Sequence, residues 1–149
     1  MLEKKGEWKR KNAGKIVAVA IVVLLVLLLI VHFLPVGEKN AESQEDRLAF
    51  LASLGWQADP DSEEANQVVI PDCSEGAMAY YNALMQMGGF DLSLYEGKSV
   101  EQYLYQLKNY PNCAQTVWVT LYVYDGCVIG GDIHTAALDG FMHELRARD

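Results

Sequence analysis

Residues 16–34, IVAVAIVVLLVLLLIVHFL, constrain this chain more than any other stretch. The first sixteen of them are all Ala, Val, Leu or Ile, and His32 is the one ionisable side chain among the nineteen. As a helix they extend roughly 28 Å, close to the hydrocarbon thickness of a bilayer. A half-exposed surface helix needs a polar stripe, and none is present. The stretch reads as a single membrane-spanning helix. It divides the chain into a basic tail (1–15), the span (16–34), a short hydrophilic stem (35–42) and one domain of ordinary size (43–149).

Charge gives the span a direction. Ahead of Ile16 stand six Lys/Arg against two Glu, a net of +4; beyond Leu34 the remaining six Lys/Arg face eighteen Asp/Glu, a net of −12. Basic flanks stay on the cytoplasmic side, so the tail faces inward and the acidic domain outward, which places the protein in the cell membrane as a single-pass chain. An acidic domain is also a poor partner for nucleic acid, whose phosphates call for Lys and Arg. A cleaved signal would have a shorter apolar core and a small-residue cleavage site; Pro35-Val36-Gly37-Glu38-Lys39 supplies no such site. A lipid anchor would need a Cys directly after the apolar run, and the first is Cys73. The span is therefore expected to persist as an anchor. Gly14 and Ala18 form one small-xxx-small spacing, which the large Val and Leu side chains that follow do not continue.

The outward domain alternates helical and extended patterns. Ser43-Gln44-Glu45-Asp46 has the form of a capped helix start, followed by Leu48, Leu51 and Leu54 and closed by Gly55. Residues 56–58 and 67–70 are short strand candidates around an acidic loop at 59–66, and Pro71 stops the second. Ser74-Glu75 opens a second helix that Gly88-Gly89 closes, and residues 90–98 form a packed turn. Three strands are expected at 100–108, 116–124 and 127–135, the last two joined by Asp125-Gly126, a strong hairpin signal. In the middle one, Val117, Val119, Leu121 and Val123 alternate with Trp118, Thr120, Tyr122 and Tyr124, giving an aliphatic and an aromatic face. Phe141, Met142 and Leu145 end the chain as a short helix or a tucked apolar segment. The order α-β-β-α-β-β-β predicts an α+β domain, an antiparallel sheet with helices packed on one face.

Chemistry-bearing patterns are sparse. Asp59-Pro60-Asp61-Ser62-Glu63-Glu64 resembles the start of a calcium loop, but Glu64 stands where a sharp-turn Gly is needed and Ile70 where a bidentate Glu is needed. His143-Glu144-Leu145-Arg146-Ala147 lacks the second His of a zincin. Cys73, Cys113 and Cys127 have no zinc spacing; being three, they allow at most one internal disulfide, and buried free thiols are the simpler reading. No phosphate-binding, dinucleotide or GxSxG motif occurs, so neither cofactor nor metal is expected. Two constellations stand out. Asp132 and His134 share a strand face after Gly130-Gly131, and His143 could approach from the C-terminal segment, the makings of an acid/base cluster; paired glycines next to a bulge explain the same residues structurally. Trp118, Tyr122 and Tyr124 could form a stacking platform, with Asp132 and His143 at its corner, although aromatic residues also simply suit a pleated surface.

Phe50-Leu51, Gly55-Trp56, Val69-Ile70-Pro71, Tyr81-Asn82 and Gly89-Phe90-Asp91-Leu92-Ser93 lie along the domain together with Tyr95, Gly97-Lys98 and Asn109-Tyr110-Pro111. Tyr124-Asp125-Gly126, Ile129-Gly130-Gly131-Asp132 and Leu138-Asp139-Gly140-Phe141-Met142-His143 complete the set. On these residues the chain resembles, from Arg47 to Leu145, a family of membrane-anchored proteins of Firmicutes, mostly clostridial, known as domain of unknown function 4830. The resemblance implies a single-pass anchor and an exported domain, and brings no catalytic residues with it. Three functions are then expected in order: an extracytoplasmic module that binds an envelope protein or wall component; an envelope hydrolase using Asp132, His134 and His143; and a sensor acting through a membrane partner.

Overall fold

The computed structural model describes residues 40–146, together with Val17, Val19 and residues 21–23. The chain divides into two compact units, Met1–Gly37 and Glu38–Asp149. The tail, most of the span at 16–34 and the stem as far as residue 39 lie outside the described residues; Val17, Val19, Ile21, Val22 and Val23 are helical and each more than half exposed. Among the described residues no helix is long and apolar enough to cross a membrane.

Helix α1 (Gln44–Ser53) starts at the reciprocal cap that its first residues promise. Ser43 Oγ accepts from the Asp46 backbone N–H at 3.1 Å, and the Asp46 carboxylate accepts from the Ser43 N–H at 3.0 Å. Hydrogen bonds from the Ser43 hydroxyl, at 2.6 Å, and from its N–H hold the Asp46 carboxyl below the usual carboxylate range. The helix closes at Leu54, with Gly55 at φ 90°. Helix α2 (Gly76–Met87) begins at Glu75 without a side-chain cap and ends at Gly88. Asp91 then caps a 3-10 turn, Leu92–Tyr95, by accepting from the Ser93 N–H. Hydrogen bonds from the Ser93 hydroxyl and Asn82 hold the Asp91 pKa at about 2.

The sheet is a meander of β1 (Glu64–Val69), β2 (Ser99–Gln106), β3 (Val117–Tyr124), β4 (Cys127–Thr135) and β5 (Met142–Glu144), each strand antiparallel to the next in chain order. Tyr124 pairs with Cys127, so Asp125 and Gly126 form a two-residue turn, with φ of 50° and 72°. Positive φ at both positions matches the twist of the strands and explains the Asp-Gly pair. The register slips between Tyr122, opposite Gly130, and Val123, opposite Val128, leaving Ile129 as a bulge. A Cβ on Gly130 would lie 2.9 Å from the Leu92 side chain, and one on Gly131 would collide with the Thr120 carbonyl. The paired glycines thus serve packing and the bulge.

Each face of the sheet carries a helix. Val117, Val119, Leu121 and Val123 are each no more than 2% exposed, and Tyr105, opposite Val119, meets Arg47 of α1. On the other face Tyr122 and Asp132 meet Tyr81 of α2. This corrects the expectation of helices on one face: the sheet is the middle layer, with α1 on its aliphatic side and α2 on its aromatic side. The α+β class stands, but the order is α-β-α-β-β-β-β. Residues 56–58 form no strand. Trp56 is held instead by its indole N–H to the Leu145 carbonyl and by stacking on Tyr110 at 5.7 Å, while Ala58 makes one isolated bridge to Leu107. Of the two expectations for the C-terminal segment the helix fails and the tucked segment holds: it supplies β5, and Leu145 is 1% exposed. The three cysteines are unpaired, with Cys73 buried, Cys113 half-buried and Cys127 exposed, so the buried-thiol reading fits Cys73 alone.

Candidate functional site

Residues directly opposite in an antiparallel pair share a face. The register therefore aligns Trp118 of β3, His134 of β4 and Met142 of β5 in one row across three strands, on the side that carries α2. Trp118 and His134 are half-buried and Met142 is 50% exposed. Asp132, two residues before His134, is on the same face and 2% exposed. It accepts from His134 Nδ1 at 2.7 Å and from the Tyr81 hydroxyl at 2.5 Å. The phenol oxygen of Tyr81 is 3.3 Å from that of Tyr122, which in turn accepts from Gln102 Nε2 at 3.2 Å. A polar chain thus runs from the surface at His134 through Asp132 and Tyr81 to Gln102. Every buried side-chain N or O among the described residues has a hydrogen-bond partner.

The electrostatics follow from that wiring. Hydrogen bonding to Asp132 raises the His134 pKa against the opposing effect of partial burial. Burial, with the Asp132 charge behind it, drives the Tyr81 phenol far above its usual range, so it remains a hydrogen-bond donor. Asp132 orients the imidazole and leaves Nε2 as the ring nitrogen turned away from it. A buried carboxylate behind a partly exposed imidazole can position that ring for proton transfer or for recognition of a polar group.

His143 does not join them. It pairs with Ile133, so it sits on the opposite face, 6% exposed. Nε2 is 3.0 Å from the Tyr110 hydroxyl, and Nδ1 donates to the Glu144 carbonyl at 2.7 Å. Its ring stacks on Phe141 at 5.6 Å beside Trp56. The expected Asp132–His134–His143 cluster is corrected to a pair, Asp132–His134, because adjacent strand positions point to opposite faces. The aromatic platform is narrowed in the same way. Tyr122 meets Tyr81 edge-on at 6.3 Å, and Tyr124 meets Tyr95 at 5.6 Å. Both lie under the layer formed by α2 and the 3-10 turn. Of the residues expected to bind a partner, Trp118 remains on the open part of the row.

A second polar cluster lies beyond what the sequence analysis singled out. Arg47, 4% exposed, donates through Nε to the Tyr105 hydroxyl, through Nη1 to the Ala41 and Glu42 carbonyls, and through Nη2 to Glu63 at 2.9 Å. Tyr105 also donates to Glu63, and the guanidinium lies 3.6 Å above the Tyr103 ring. Burial pushes the Glu63 pKa upward, but hydrogen bonds from Tyr105 and Arg47 outweigh it and hold the carboxyl below its ordinary value. This cluster absorbs the end of the acidic loop, whose Pro60–Ser62 segment is a 3-10 turn capped by Asp59. Asp59 also pairs with Lys108 at 3.0 Å. No group of three or more His, Cys, Asp or Glu residues among those described converges as a metal site.

A sequence profile described as Domain of unknown function (DUF4830) matches residues 50–133. The matched segment runs from α1 to Ile133, and includes Trp118 and Asp132. No curated protein and no solved structure matches the chain.

Proposed function

The chain belongs to the DUF4830 family, and on that footing we propose that it is a single-pass membrane protein of a Gram-positive envelope. Residues 16–34 anchor it, residues 1–15 face the cytoplasm, and the domain outside binds an envelope protein or wall component. The apolar run and the charge asymmetry about it support the anchoring. The observation that carries the binding is the row of Trp118, His134 and Met142, an indole, an imidazole and a thioether side by side at the surface. Such amphipathic side chains suit recognition because they combine large contact area with a polar handle.

Topology and contact are tested separately. In intact cells a membrane-impermeant maleimide labels exposed Cys127 in a Cys113→Ser background, and the signal vanishes with Cys127→Ser; labelling only after lysis sinks the outward orientation. For contact, the full chain in detergent is sedimented with purified wall material and with solubilised envelope proteins. Trp118→Ala and His134→Gln weaken retention in one of the two fractions, and equal retention of both variants and the parent sinks the row. A second reading draws on the Asp132–His134 pair alone: a hydrolase in which His134 activates water, with Asp132 orienting the ring. It requires ester or amide turnover that His134→Gln and Asp132→Asn both abolish while the fold persists.

A further inference from the structure

The sheet has two unequal edges. On one side β5 is three residues long; on the other β1 runs for six, from Glu64 to Val69. Within β1 every residue but Val68 is exposed, and Val69 is 61% exposed. Edge strands are commonly blunted by Pro, Lys, a bulge or a covering loop. Glu-Ala-Asn-Gln-Val-Val contains neither Pro nor Lys, and its register against β2 runs without a slip.

The direction of its free hydrogen-bonding groups follows from the ladder. Ile70 N–H donates to the Lys98 carbonyl, and hydrogen-bonded and non-bonded pairs alternate along antiparallel strands. Val68, Asn66 and Glu64 therefore bond to β2, while the N–H and C=O groups of Ala65, Gln67 and Val69 point away from it. The second ladder agrees: Leu107 N–H donates to the Val117 carbonyl, so the odd positions of β2 face β3 and the even ones face β1.

We propose that β1 is a docking edge for an extended, basic segment of a partner protein, which adds as a sixth strand bonded to Ala65, Gln67 and Val69. Charge selects this occupant. Asp61, Glu63 and Glu64 stand at one end of the strand, Glu101 lies opposite Gln67, and Lys98 is the lone basic residue at the other end. Glu63 is spent on Arg47, which leaves Asp61, Glu64 and Glu101 to attract cations. A second copy would bring one strongly acidic domain against another, and like charges at close quarters oppose such pairing. Main-chain bonds supply the affinity of strand addition, and side-chain charge supplies the selectivity. This surface is distinct from the Trp118 row, which crosses β3, β4 and β5.

The test titrates the full chain in detergent with a peptide alternating Lys and Val, long enough to pair along β1, and with its Glu/Val counterpart. Amide hydrogen exchange is read at each residue. The basic peptide slows exchange at Ala65, Gln67 and Val69 by about tenfold or more, the effect weakens with added salt, and the acidic peptide leaves these amides unchanged. Gln67→Pro removes an outward N–H without removing a bond to β2 and abolishes the protection. Glu64→Lys with Glu101→Lys keeps the backbone intact and also abolishes it, so the outcome stands if the proline variant misfolds. Protection that is absent, equal for both peptides, indifferent to the charge reversal, or already present in a peptide-free dimer overturns the proposal.

Discussion

Arg47 illustrates how much one side chain can carry when it is buried with each guanidinium nitrogen hydrogen-bonded. Truncation to Ala takes the cation from the Glu63 carboxylate, which keeps its bond from the Tyr105 hydroxyl, and removes a donor from two carbonyls; loss of one partner of a buried pair costs about 3–5 kcal/mol. Urea denaturation of Arg47→Ala is expected to show a loss of that size, and adding Glu63→Gln to restore part of it. The sequence carried a sign of this role, since Arg47 lies four residues before Leu51 on the stripe α1 buries; a lone Arg at such a position ordinarily snorkels, and only the distant Tyr105 and Glu63 make it a core residue. At His134 the prediction concerns pH. Its pKa is raised in the folded protein, so the stabilisation from its bond to Asp132 is full below the unfolded value of about 6.5 and is lost as pH rises through the folded value. Proton NMR of the imidazole should place its titration above the ordinary value and find it lowered in Asp132→Asn. The difference in melting temperature between the parent and His134→Gln should shrink from mildly acidic to alkaline pH.

At the scale of elements, legibility followed burial. Strands β3 and β4 and their hairpin could be read because one face of β3 is aliphatic and fully buried and the turn demands positive φ. The sequence pattern starts β1 at 67, whereas the strand begins at Glu64, because an edge strand exposed on both sides has no alternation to show. Strand β5, at three residues, is too short to display a period, and its pairing to β4 is a tertiary fact. Trp56 suggested a strand, but its burial comes from Leu145 and Tyr110, far away in the chain. For the same reason the Asp132–His134 pair was legible, two residues apart on a strand, while the face of His143 depended on a register that no local pattern encodes. The paired glycines beside the Ile129 bulge supply a direct check. Gly131→Ala drives a methyl group into the Thr120 carbonyl and the Leu145 side chain, and should cost about 1–3 kcal/mol in denaturation. Gly126→Ala, where φ is 72° and the obstacle is the flexible Glu42 side chain, should cost about 1–2 kcal/mol.

For the domain as a whole, the meander and its two covering layers set a gradient of stability. Strand β3 lies at the centre, paired on both sides and packed on both faces, whereas β1 is bonded on one side and exposed. Native-state hydrogen exchange should therefore be slowest for the amides of β3 and fastest, among the strands, for the outward amides of β1. Thiol reactivity belongs to the same scale: burial raises the Cys73 pKa, so Cys73 should react with thiol reagents far more slowly than exposed Cys127.

One junction has a mechanical meaning. The Ala41 N–H donates to the Gly126 carbonyl, Asn40 bridges to Cys127, and Arg47 grips the carbonyls of residues 41 and 42. Tension applied to the chain ahead of Asn40 is therefore delivered to the turn between the two central strands, with the buried guanidinium as a clamp behind it. The weak edge strands are bypassed. A pull from that end meets the best-packed hairpin of the domain first, so the first rupture under load should be the release of residues 40–42, with the sheet still intact.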